Sequence, residues 1–183
     1  MKNLIAAVLL LVCGSVQAAQ ITVDFSDPSI PSQGLEEGFA TQGYNFTFEP
    51  VPIPTPPAYV ITSDPSLAFC PECNMVMESV NGASFSLFSF EGWIFGGLDD
   101  VQVTGFLEGG GTVTETFAFN NSNQLFELSW SGLLFTSVKF DNLGFDPTIL
   151  DNLVVSEVPI PAAVWLFGSG LGLLGWLRRR QIA

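Results

Sequence analysis

The only closely spaced group of reactive side chains in this 183-residue chain is Cys70-Pro71-Glu72-Cys73. Two thiols at that spacing can close a disulfide, supply half of a zinc site, or exchange electrons with another dithiol. A zinc site needs two more ligands of the usual kind, and the chain offers one further cysteine, Cys13, and no histidine. A redox dithiol belongs at the start of a helix, whereas the residues around 70–73 read as strand and loop. In an oxidising compartment the pair therefore favours a short disulfide between Cys70 and Cys73, with free thiols or an intermolecular bridge as the alternatives. The missing histidine also removes Ser-His-Asp hydrolysis, Cys-His catalysis and histidine-bearing zinc chemistry. Hydrolysis of glycosides by paired carboxylates survives, because it needs only two acids at a suitable separation. With 18 acidic residues some pair always lies close, and no spacing marks one pair above the others, so no catalytic residue is assigned.

The carboxylates are unevenly distributed. All 18 lie between Asp24 and Glu157, where Lys139 is the only basic residue, so that stretch carries a formal charge of −17. Phosphate recognition requires clustered Lys or Arg, which excludes nucleic acid and anionic lipid as partners of the interior. Divalent cations, basic surfaces and neutral or basic polysaccharides remain. Plain solubility remains too, since an acidic surface keeps a protein dispersed without binding anything.

Strands are the elements that would position these groups. Segments 44–49, 101–104 and 114–119 carry the period-two alternation of half-buried strands, and 21–25, 58–61, 75–80, 85–90, 124–129, 137–140 and 149–155 are further candidates. These short runs are separated by Gly, Pro, Asn and Asp, with no amphipathic helix between them. The pattern predicts an all-β, two-sheet antiparallel sandwich. Gly109-Gly110-Gly111 falls between two alternating runs and supplies the positive φ values of a hairpin turn. The proline-rich stretch 51–57 cannot donate a continuous ladder of hydrogen bonds and reads as an extended surface loop. No internal repeat is long enough for a solenoid or propeller.

Sixteen of the 17 phenylalanines lie in the interior, where alternating positions assign most of them to the core. Trp93, Trp130, Tyr44 and Tyr59 are better platforms for a sugar ring, having flat faces with a polar tip. Trp93 stands among glycines in Glu91-Gly92-Trp93-Ile94-Phe95-Gly96-Gly97, which predicts a loop or bulge presenting its ring outward. It is the first candidate for a ligand contact.

Both ends read as addresses. Lys2, the apolar run 4–12 and the small-residue signal Val16-Gln17-Ala18 make residues 1–18 a signal peptide. Cys13 would be a lipoprotein acylation site, but Val12 stands where that signal needs a small residue. At the other end Val158-Pro159-Ile160-Pro161-Ala162-Ala163-Val164-Trp165-Leu166-Phe167-Gly168-Ser169-Gly170 leads through an uncharged apolar run to Arg178-Arg179-Arg180. Such a run is a transmembrane helix, and the arginines are a membrane stop that keeps the chain end in the cytoplasm. This segment resembles the PEP-CTERM sorting signal of Gram-negative bacteria in its V-P-x-P-A-A-x-W-L-F-G-S-G variant. The resemblance implies transient anchoring in the inner membrane and recognition by an exosortase at the region Val158, Pro159, Ile160 and Pro161. It further implies release to the cell surface or exopolysaccharide matrix. An ordinary C-terminal anchor is the alternative.

The interior, through 101–119, 84–90 and 149–155, resembles the jelly-roll β-sandwich domains common among PEP-CTERM proteins, which are of the carbohydrate-binding-module kind. In that kind of domain an Asp on the terminal strand beside the N-terminal strand often helps hold a structural calcium. By that resemblance Asp24 and Asp151 are the candidate calcium ligands. The alternative is that Asp151-Asn152 faces solvent or caps a strand edge. The chain thus divides into a signal peptide (1–18), a jelly-roll-like β-sandwich domain (19–157) and a sorting signal with a transmembrane helix (158–183). The expected function is that of an exported, non-enzymatic surface or matrix protein that binds polysaccharide. A small secreted glycosidase and a structural or adhesive coat component are the rivals.

The tail generates the first prediction. Intact-mass analysis of surface material from the native host is expected to give a chain ending near Val158-Pro159-Ile160-Pro161, without Trp165 or the arginines. A surface pool that mostly retains Arg180 identifies a plain anchor instead.

Overall fold

A computed structural model describes residues 19–28, 30, 38–49, 58–61, 65–71, 73–130 and 132–157. Both membrane segments expected from the sequence, the cleavage region Val158 to Pro161, the Arg178–Arg180 stop and the proline-rich stretch 51–57 lie outside them. Gln20–Glu157 packs as one compact unit. Its described residues contain strands and no α-helix, and none there could cross a membrane as a helix.

Among the described residues twelve strands follow one another: β1 (Gln20–Val23), β2 (Phe39–Thr41), β3 (Tyr44–Glu49), β4 (Ala58–Ile61), β5 (Ser66–Phe69) and β6 (Asn74–Ser79). Then come β7 (Phe85–Ile94), β8 (Asp99–Leu107), β9 (Thr112–Phe119), β10 (Gln124–Glu127), β11 (Phe135–Asn142) and β12 (Thr148–Glu157). Every pairing is antiparallel. One layer runs β2-β3-β6-β11-β8-β9. The other runs β10-β7-β12, with β1 and the β5-β4 pair sharing the far edge of β12. Among the described residues a single ladder pair, Phe135↔Phe85, links one layer to the other, beside a register shift between Phe135 and Ser137. The sheet is therefore folded over on itself, and side chains hold its two halves together.

Those side chains are the ones that the alternation turns inward. Tyr44, Phe46 and Phe48 of β3, Met75 and Met77 of β6, Val101 and Val103 of β8, and Val138 and Phe140 of β11 are all buried. Opposite them Phe90 of β7 makes an edge contact with Phe140 at 5.5 Å and with Phe117 at 5.3 Å, and Phe119 stacks on Phe126 at 4.5 Å. Phe85 closes the corner against Tyr44 at 5.3 Å. Such ring pairs add about 0.5–1.5 kcal/mol each beyond the area they bury. Gly92 belongs to the same contact, because a Cβ there would lie 2.5 Å from the Phe119 ring and 3.0 Å from the Ile149 carbonyl oxygen.

One strand end and two whole strands differ from the sequence expectation for physical reasons. The first strand ends at Val23, since Phe25 adopts a left-handed φ of 52° that turns its ring in against Phe39 and Phe46. β2 and β5 were not expected: β2 is too short for periodicity to register, and all four residues of β5 are buried, so no alternation marks it. The glycine triplet does turn the β8–β9 hairpin, with positive φ at Gly110 and Gly111.

The core generates the second prediction. Phe90→Ala is expected to lower unfolding free energy by about 3–5 kcal/mol, and Gly92→Ala by about 1–3 kcal/mol through overpacking against Phe119. Denaturant unfolding of the purified protein checks both, and a neutral Gly92→Ala contradicts the close approach of the layers.

Candidate functional site

Two surfaces of the sandwich combine order with accessibility. The first is the outer face of the β2-β3-β6-β11-β8-β9 layer. Register places Thr47, Val76, Lys139, Thr104 and Thr114 in one row across five strands. On one side of it runs Asn45, Glu78, Ser137, Phe106 and Thr112; on the other, Glu49, Asn74, Asp141, Gln102 and Thr116. With strands about 4.8 Å apart, each row extends about 19 Å.

Lys139, the only base between Asp24 and Glu157, sits at the centre of this face. Its Nζ lies 2.9 Å from Asp141 Oδ1 and 3.2 Å from Glu49 Oε2, and Asn74 Nδ2 donates to the same Glu49 oxygen at 2.7 Å. Burial alone would lower the Lys139 pKa, but hydrogen bonds to Asp141 and Glu49 outweigh it and raise the value. Glu49 is held below the ordinary carboxylate value, first by Asn74 and then by Lys139. An ammonium has three N–H donors, so two carboxylate partners leave one for a ligand oxygen. Farther along the row the hydroxyls of Thr104 and Thr114 share a hydrogen bond of 3.3 Å.

The second surface is the end of the sandwich formed by the β7–β8 loop (95–98) and the β11–β12 loop (143–147). Asp99 Oδ2 accepts from the backbone N–H groups of Phe145 at 2.9 Å and Asp146 at 3.1 Å. Asn142 Nδ2 donates to the Asp146 carbonyl at 2.8 Å, and the Phe95 N–H donates to the Pro147 carbonyl. The disulfide-bonded Cys70 and Cys73, with Cα atoms 5.3 Å apart, are fastened to the same end by Asn142, whose N–H donates to the Cys73 carbonyl. A depression of about 400 Å³ opens beside these loops, lined by Leu98, Asp99, Asp100, Ala118, Phe119 and Leu143.

The residues singled out from the sequence are dispersed. Trp93 lies within β7, paired with Ile149, and not in a loop or bulge; Gly92 serves ring packing, and the chain turns only after Ile94. Its row on the outer face of the second layer continues through Ile149 and Ala68, both without solvent exposure, and Trp93 itself is half-buried. Tyr44 is no platform: it is fully buried, and burial followed by the Glu157 charge raises its phenol pKa. Trp130 is half-buried against Phe135 at 4.9 Å. The Tyr59 side chain lies outside the described part.

Asp24 accepts from Ser26 N–H and Oγ and from Gln42 Nε2, and the Ser26 bonds foremost depress its pKa. Asp151 accepts from the Asn152 N–H at 2.8 Å, and Asn152 Nδ2 reaches Glu91 on the paired strand at 3.1 Å. Asn152 has a φ of 47°, a left-handed conformation that Asn tolerates, at the register shift between β12 and β7. Its side chain holds that kink. Among the described residues no group of three or more His, Cys, Asp or Glu is arranged to hold a metal ion. The Lys139 constellation was half legible in the sequence, since Lys139 and Asp141 share a face at i and i+2. Glu49 and Asn74 join it only through strand register.

No family model matches the chain, and no curated protein matches it. Among solved structures it is similar to a variant of the carbohydrate-binding module CBM29-2 complexed with mannohexaose, with a TM-score of 0.50, 14% identity, and coverage of 77% of this chain and 93% of that module. A second CBM29-2 variant matches with a TM-score of 0.50, 14% identity and coverage of 76% and 93%. At this identity the likeness establishes the fold: an antiparallel β-sandwich of the kind that such modules adopt.

Charge ordering generates the third prediction. The depressed pKa values of Glu49 and Asp24 mean that their stabilisation is fully present above their ordinary values of 4.5 and 3.8 and is lost as pH falls through the lower folded values. The thermal midpoint is therefore expected to decline on acidification below about pH 4.5, and less steeply in Glu49→Gln, which cannot titrate. Identical acid limbs for the two proteins contradict the Lys139 network.

Proposed function

We propose that this chain is an exported, non-catalytic protein that binds a polysaccharide chain along the outer face of the β2-β3-β6-β11-β8-β9 layer. The observation that carries this reading is the Lys139 constellation at the centre of three register-aligned, mainly polar rows. A sugar chain offers hydroxyls that both donate and accept. The face offers ammonium and amide donors, carboxylate acceptors and threonine hydroxyls that do either. Because these groups stand on strands backed by a packed aromatic core, little side-chain entropy is lost on binding. The β-sandwich fold, which we read as jelly-roll-like, is shared with a module that has been seen with mannohexaose. The tail's resemblance to a sorting signal supports action at the cell surface or in the matrix, after exosortase processing and transient membrane anchoring.

This reading generates the fourth prediction. In calorimetry with mannohexaose as the probe, the purified protein is expected to bind without releasing reducing sugar, and Lys139→Met to weaken binding about tenfold. Release of reducing sugar favours the glycosidase. Self-association without sugar binding favours a coat component. Unchanged affinity in Lys139→Met removes the sheet face as the site.

A further inference from the structure

The polar sheet face carries one aromatic ring that neither the core nor the Lys139 network uses. Of the large apolar side chains exposed among the described residues, only Phe106, at 37%, stands on a strand of the β2-β3-β6-β11-β8-β9 layer. Its position is held from two sides. Thr136 is the extra residue of a bulge in β11, between the Phe135↔Leu107 and Ser137↔Phe106 pairs, and its Oγ1 donates to the Phe106 carbonyl at 3.3 Å. A bulge is one of the devices by which a sheet re-aims a side chain. Beneath it the rings of Phe135 and Trp130, 4.9 Å apart, lie against Gly105, so the backbone that carries Phe106 is backed by the core.

The neighbours of this ring define what can lie on it. Lys139 pairs with Thr104, so Phe106, two residues along β8, is its diagonal neighbour at about 7–8 Å. One hexopyranose with its hydroxyls bridges that span. A pyranose has C–H bonds on its faces and hydroxyls at its rim: the face gains by leaving water against an apolar plane, and the rim must keep its hydrogen bonds. Phe106 supplies the plane, while Ser137, Thr104 and the remaining N–H of Lys139 supply the bonds. A polyanionic chain would meet the −17 of the interior and be repelled. We propose that Phe106 is the stacking platform of the sheet-face site and makes a neutral pyranose polysaccharide its ligand class, one ring lying on Phe106 with its hydroxyls directed to Lys139. This assignment rests on the sheet-face reading of function.

The test is calorimetry with mannohexaose on the purified protein and its Phe106 variants. Phe106→Ala is expected to weaken binding about tenfold, and Phe106→Leu, which keeps apolar area without a flat face, nearly as much. Phe106→Tyr keeps the plane and should retain affinity, with thermal midpoints alike in all three variants. A second readout places an indole on the site: in Phe106→Trp, mannohexaose is expected to shield the added fluorescence from acrylamide. Leu125→Trp, on β10 of the opposite layer and exposed in the wild-type protein, should gain no such shielding. Full affinity in Phe106→Ala or Phe106→Leu, or equal shielding at the two positions, overturns the platform. The two proposals fail differently. Weakened binding in Lys139→Met beside unchanged binding in Phe106→Ala removes only the platform, whereas a wild-type protein that does not bind mannohexaose removes the sheet-face reading and the platform with it.

Discussion

Contact between the two inner ring surfaces, centred on Phe90, is what the remaining structure depends on. Among the described residues the ladder joins the layers at one residue pair, so it cannot by itself keep them in register. Phe90 meets Phe117, Phe119, Phe126 and Phe140, which come from three strands on both sides of the interface. Aromatic pairs prefer edge or offset geometry, and this narrows the relative placements of the two layers that satisfy all four contacts together. Gly92, two residues along the same strand, lets the Phe119 ring come close to the backbone.

Both candidate surfaces inherit their rigidity from this contact. An outer-face residue such as Lys139 lies between Val138 and Phe140, which are locked into the core, so its position follows from the rings beneath it. The loop end is fixed by a different device. There Asp99 and Asn142 satisfy backbone groups that the ladders leave behind, so polar side chains do at the sandwich end what rings do at its centre. Gly144 permits it, since a Cβ at that position would collide with the Asp99 carboxylate.

The parts of the fold legible in the sequence are those in which one face is wet and the other dry. β3 and β8 alternate because one face meets the core and the other meets solvent, and periodicity reports that contrast directly. β5 is buried throughout, and β2 is three residues long, so neither offers a contrast to read. The aromatic platform was misread for a related reason. Composition cannot tell a ring used against another ring from one offered to a ligand, and Tyr44 is in the first class although its hydroxyl suggested the second. Asp24 and Asp151 show the same ambiguity for carboxylates, each being held by nearby donors: Ser26 and Gln42 for the first, Asn152 for the second.

The lone lysine is then less paradoxical than its count suggests. In a stretch of −17, one cation could sit anywhere and find a carboxylate, yet it stands where three strands converge and takes Glu49 and Asp141 together. Exposed pairs of this sort contribute only about 0–1 kcal/mol each, so fold stability alone gives little reason for its place. What the lysine does more effectively is order acids that would otherwise repel one another, bringing Asn74 into the same network. Acids outside this network, such as Asp100, stay exposed to solvent. One base among 18 acids therefore orders only the part of the surface around it, and the remaining carboxylates stay uncompensated by any basic side chain of the interior.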